Sequence, residues 1–103
     1  MKIYRSQEYA TLPEFATQGS ACFDVKAAFV VGERVATYNP WNKKVDVIAK
    51  VIGGKTALQI PPESRILVPT GLIFDIPEKH VLKMYVRSSV ALKKGLSLVN
   101  GVG

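Results

Sequence analysis

The chain has 103 residues, 48% of them apolar, with 14 lysines and arginines against 8 acids and a single cysteine. That length supports one modest core, the apolar content excludes disorder driven by low hydrophobicity, and no apolar run approaches the roughly 20 residues a membrane span needs. The net charge of +6 suits an anionic partner, and one cysteine cannot close an internal disulfide, which fits a reducing, cytoplasmic setting.

Met1-Lys2-Ile3-Tyr4-Arg5 turns polar at once, without the apolar stretch of a secretory signal. Gly19-Ser20-Ala21-Cys22-Phe23-Asp24-Val25 follows, in which Asp24 on its own reads as a strand-edge charge or a salt-bridge partner. Cys22 reads as a small buried hydrophobe, not a nucleophile. Between Gly32 and Leu58, Tyr38 and Trp41 are expected to cover the apolar face of their own hairpin, with a contact patch as the alternative. Val45, Val47, Ala49 and Val51 alternate with Asp46, Ile48 and Lys50, as a half-buried strand should. Gly53-Gly54 then predicts a tight hairpin into Lys55–Ile60, because glycine accepts the positive φ of primed turns.

Pro61-Pro62, Pro69 and Pro77 fall between runs, where a missing backbone donor does least harm. Leu72, Phe74 and Ile76 point to one side of a strand and Ile73 and Asp75 to the other, and His80–Arg87 is expected to be another strand. Short strands separated by turn signals argue an all-β sandwich or barrel. Only Ser89–Lys94 reads as helix, punctuated by Gly95.

Chemistry concentrates in Arg87-Ser88-Ser89. A serine at the start of a helix can cap its first turn, whose free N–H groups favour phosphate, and an arginine fork matches phosphate oxygens two at a time. His80, the sole histidine, has no partners for a triad or metal cluster, and no zinc spacing, Walker loop or dinucleotide fingerprint occurs. Adjacent lysines occur only at Lys43-Lys44 and Lys93-Lys94, with no basic stripe interleaved with aromatics, so neither nucleic acid nor membrane is an expected partner.

Five landmarks stand in one order: Gly19–Val25, Ile60-Pro61-Pro62, Val68-Pro69-Thr70-Gly71-Leu72, Arg87–Leu96 and Asn100-Gly101-Val102-Gly103. That order resembles the dUTP diphosphatases (dUTPases), particularly phage-like members, over most of the sequence apart from roughly 32–58. The resemblance implies a single domain over 1–103, a distorted jelly-roll-like β-barrel with one short helix, and a hairpin insertion at 32–58. It implies hydrolysis of dUTP to dUMP and pyrophosphate with Mg²⁺, in a homotrimer whose active sites draw motifs from more than one subunit.

By the same resemblance, Arg87, Ser88 and Ser89 would bind the phosphate chain and Asp24 would face the metal through water. Asn100 and Gly103 would open the uracil-reading hairpin. Cys22 stands where the family usually has glycine. The family's catalytic base, its sugar-stacking tyrosine and its C-terminal phosphate arm would lie past Gly103. The resemblance therefore implies a domain incomplete at its C-terminal end and poorly active by itself. Two alternatives stand beside this reading: a dCTP deaminase, which shares a similar Arg-Ser-Ser motif, and a nucleotide-binding or regulatory module without turnover.

Overall fold

The computed structural model describes residues 1–14 and 18–102. Eight short strands and one helix follow in order: β1 (Lys2–Arg5), β2 (Arg34–Val35), β3 (Thr37–Tyr38), β4 (Val47–Ile48), β5 (Lys50–Ile52), β6 (Lys55–Ala57), β7 (Arg65–Ile66), β8 (Leu72–Asp75) and α1 (Ser88–Lys94). The all-β expectation holds. Closure into a barrel does not: the strands form four two-stranded sheets, β1–β8, β2–β4, β3–β7 and β5–β6. Strands of two to four residues offer too few ladder bonds to carry a continuous sheet round.

The chain divides into two compact units, one of Ile3–Phe74 and one of Met1–Lys2 with Asp75–Gly103. In the first, the predicted hairpin is present: β5 and β6 pair antiparallel with Ile52 opposite Lys55, and Gly53 and Gly54 carry φ of 59° and 78° between them. Both values belong to a type I′ turn, which matches the twist of its flanking strands. The alternation before it is only half realised. Ala49 is buried and Val47 half-buried, while Val45 and Val51 stay exposed.

Among the described residues, those buried in this unit are small: Ala10, Ala28, Val35, Ala49 and Thr37. Thr37 meets the cost of burying a hydroxyl by donating it to the Val35 carbonyl at 3.2 Å. Val35, Thr37 and Ala49 all come from 32–58, so that segment helps to make the core. Gly71 marks the tightest approach. A Cβ there would stand 2.7 Å from the Ala10 Cβ, and its φ of +65° is one that side chains rarely adopt. The Ser6 N–H donates to its carbonyl and the Ala28 N–H to that of Pro69, so the Val68–Leu72 landmark is a packing joint. Along β8, Leu72, Phe74 and the following Ile76 alternate with exposed Ile73 and Asp75, as predicted.

In the second unit, His80–Arg87 is not the strand its sequence suggests. Its ladder has one rung, an antiparallel bridge of Lys83 with Val102, beside a 2.6 Å bond from the Met84 N–H to the Gly101 carbonyl. A strand without a partner along its length has nowhere to place its backbone groups except water. His80 instead closes a turn, its N–H donating to Pro77 while Lys79 takes φ 63°. Among the described residues, no helix is long and apolar enough to cross a membrane.

Candidate functional site

Arg87 sits at the N-cap of α1 with extended backbone (φ −61°, ψ 143°). The helix therefore begins one residue before the sequence suggests, and the serines occupy its first two positions instead of its cap. The N-terminal end of the helix lacks a side-chain cap, which corrects the expectation of a serine there. The Arg87 carbonyl accepts from both Val90 and Ala91 N–H at 3.0 Å, closing the first turn. At the other end Gly95 is left-handed at φ 64° and its N–H donates to the Val90 carbonyl, while Lys93 and Lys94 lie in the last turn, where cations favour the carbonyl end.

A compact set of donors results. Arg87, Ser88 and Ser89 are all exposed, and among the described residues the guanidinium and both hydroxyls make no hydrogen bond or ion pair. No acid lies in the first turn to compete for an anion. Such a cluster can bind a tetrahedral oxyanion by a two-pronged guanidinium contact together with hydroxyl and backbone donors.

Asn100 serves the local backbone. Its Oδ1 accepts from the Val102 N–H at 3.3 Å, forming a turn just before the Lys83–Val102 bridge. Its amide nitrogen remains available as a donor. Gly101 is required by proximity, since a Cβ would stand 2.8 Å from the Met84 carbonyl oxygen. Gly103, expected on the uracil side, lies outside the described residues.

Asp24 belongs to the other unit. Half-buried, it forms an isolated antiparallel bridge with Glu14, its N–H donating to the Glu14 carbonyl at 3.4 Å. Cys22 is exposed and free, contrary to its expected burial. The apolar contact near it is made by Phe23, whose ring stacks on Phe74 with centroids 6.4 Å apart and 18° between planes. Among the described residues no three His, Cys, Asp or Glu come together to hold a metal. A cleft of about 340 Å³ opens between Val47, Ile48, Lys50, Ile52, Gln59 and Ile60, together with Pro61 and Pro62. None of the predicted site residues lines it.

Comparison with known proteins bears on the class. The chain is 33% identical to a deoxyuridine 5'-triphosphate nucleotidohydrolase of Rhizobium etli (strain CIAT 652), over 89% of its own length and 44% of that protein's. A protein of the same name from Aquifex aeolicus (strain VF5) matches at 33% over 89% of the chain and 45% of the relative. One from Fusobacterium nucleatum matches at 32% over the whole chain and 53% of the relative. No family model and no solved structure matches. By name these relatives are hydrolases of a nucleoside triphosphate, and the chain spans about half the length of the curated relatives it matches. Over that aligned length the chain is similar to dUTP nucleotidohydrolases.

Proposed function

We propose that the chain takes part in hydrolysing dUTP to dUMP and pyrophosphate, and that it supplies the phosphate-side residues of the site. The observation that carries this is the unpartnered donor set Arg87-Ser88-Ser89 on a chain related along most of its length to dUTP nucleotidohydrolases. Arg87 neutralises charge on the phosphate chain and fixes its orientation through two parallel hydrogen bonds. Ser88 donates a hydroxyl to a neighbouring oxygen, and Ser89 contributes mainly its backbone N–H. The turn at Asn100 and Gly101 begins the surface that reads uracil, where a base with the wrong donor pattern leaves a polar group unpaired at about 1–3 kcal/mol.

Divalent metal chemistry fits this donor set in one form only. Asp24, bridged to Glu14, lies in no group of three potential ligands among the described residues, which suits Mg²⁺ held chiefly by water and substrate phosphate. Bound that way, Mg²⁺ would offset triphosphate charge. No residue of the chain is assigned to activate the attacking water. A homotrimer is part of the proposal, supported by the large apolar side chains left exposed in the second unit, among them Tyr85 at 76%, Leu92 at 84% and Val99 at 78%.

Titration of a non-hydrolysable dUTP analogue tests the reading. We expect Arg87→Ala to weaken binding by about 1.5–3 kcal/mol, the usual worth of a charge-assisted hydrogen bond, and His80→Ala to leave it unchanged. Equal affinities for the two variants would remove Arg87 from the site. Equal affinity for the dCTP analogue would remove uracil recognition.

A further inference from the structure

The fold assembles a second cationic and aromatic surface on 38–44 and β7, in the unit without Arg87. Tyr38 stands directly opposite Arg65 in the β3–β7 pair and directly opposite Lys44 in an isolated antiparallel bridge on its other side. Residues opposite one another across antiparallel strands share a face. Lys44, Tyr38 and Arg65 therefore form a cation–aromatic–cation row. The Arg65 guanidinium lies over the Tyr38 ring, 5.8 Å from its centroid, and also donates to the Asn42 side chain. Lys44 is partly offset by Asp46 at 3.9 Å. Lys43 makes no ion pair among the described residues.

Trp41 rides at the tip of the loop between Tyr38 and Lys44 and is 78% exposed, so it does not cover its own hairpin as its sequence suggested. The loop is braced. Asn39 Oδ1 accepts from the Trp41 and Lys43 N–H groups at 3.0 Å each, the Asn42 N–H donates to the Asn39 carbonyl, and the Asn39 N–H donates to the Lys43 carbonyl. Pro40 adds a fixed φ. An indole held out in water on a closed, hydrogen-bonded loop has little further ordering to undergo when a flat partner arrives.

We propose that this surface binds single-stranded nucleic acid, with a base stacked on Trp41 and backbone phosphates met by Lys43, Lys44 and Arg65. Aromatic faces interspersed with cations are the general means of holding unpaired bases without regard to sequence. A duplex hides its base faces and so cannot use the indole. An acidic protein segment would satisfy the cations yet give the exposed indole no matching plane. The linear sequence offered Tyr38 and Trp41 as a contact patch but not Arg65, which joins Tyr38 only through strand pairing.

Trp41 is the one tryptophan present, so its fluorescence reports directly on its own ligand. Titration with oligothymidylate at low salt should quench it, and the same sequence as a duplex should quench it far less. Affinity should fall with salt at a log–log slope of about −2, near 0.7 per contact for three phosphates on a single strand. Trp41→Ala, followed by electrophoretic mobility, should weaken binding about 10-fold or more, the span of one stacked base. Trp41→Phe should restore most of it, and Lys44→Gln should flatten the salt slope while circular dichroism stays unchanged. No quenching and no mobility shift at low salt would overturn the proposal. So would equal quenching by a polyglutamate peptide, which would make the surface an acidic-protein contact.

Discussion

The two units of the chain differ in how they engage their polar side chains. In Ile3–Phe74, several donors and acceptors bond within the unit itself, while Lys43 makes no ion pair among the described residues. Asn39 Oδ1 accepts two N–H bonds, Thr37 returns its hydroxyl to Val35, and the Tyr9 hydroxyl donates to Glu33 at 3.1 Å. In Asp75–Gly103, Arg87, Ser88 and Ser89 keep their side chains unengaged, and Tyr85 and Leu92 remain in solvent. A side chain bonded within its own unit holds a shape, and one left unbonded, as at Arg87 in one unit and Lys43 in the other, is available to meet something else.

Substitutions can break that contrast, and the largest effect is expected at the packing joint. Gly71→Ala should destabilise the protein by about 2–4 kcal/mol, combining overpacking against Ala10 with a left-handed backbone, as read by urea denaturation. A loss under about 1 kcal/mol would mean that the joint yields. Next comes Gly54→Val, where a β-branched residue must take φ near 78°. A cost of about 1–2 kcal/mol is expected in the same assay, with nucleotide affinity untouched.

On the other side of the comparison, Ser88→Ala should leave stability within about 0.5 kcal/mol, because neither first-turn serine caps the helix. Analogue affinity should nevertheless drop by about 0.5–1.5 kcal/mol, the net worth of one hydrogen bond. Equal losses of stability and affinity would make the serine structural.

The smallest effect concerns Tyr9. Partial desolvation raises its hydroxyl above the ordinary tyrosine value, with further support from its bond to Glu33 and the charge of that carboxylate. A group with a raised folded pKa holds its proton more tightly when folded. Its contribution is complete below the unfolded value of about 10 and is lost as pH climbs through the folded one. Melting curves across that alkaline window should show a small decline in wild type that Tyr9→Phe removes.

Local chemistry was legible in the sequence. Gly53-Gly54 called for its primed turn, Gly95 for a helix end, and Leu72, Phe74 and Ile76 for one face of a strand, because each depends on neighbours a few residues away. The Arg87-Ser88-Ser89 cluster was also visible, although the helix begins at Ser88 and makes the serines donors without a capping role. Long-range facts were not visible. Whether His80–Arg87 becomes a strand depends on a partner that meets it only at Val102. The reason for Gly71 lies at Ala10 and Ala28, and the neighbours of Tyr38 lie at Lys44 and Arg65. Burial failed at Cys22 and Trp41 for the same reason, since type and periodicity say which residues could be covered but not by what.

Among the described residues the core is alanines with one valine and one threonine, and a core of that kind has a thermodynamic signature of its own. Heat-capacity change and denaturant sensitivity both scale with surface newly exposed on unfolding, and small side chains withhold little from water. The protein should therefore unfold with an increment below the usual ~12–15 cal/mol/K per residue, giving a flat stability curve and a broad transition in urea. Covering Tyr85, Leu92 and Val99 would steepen both responses, so calorimetry would register their burial as a change in curvature.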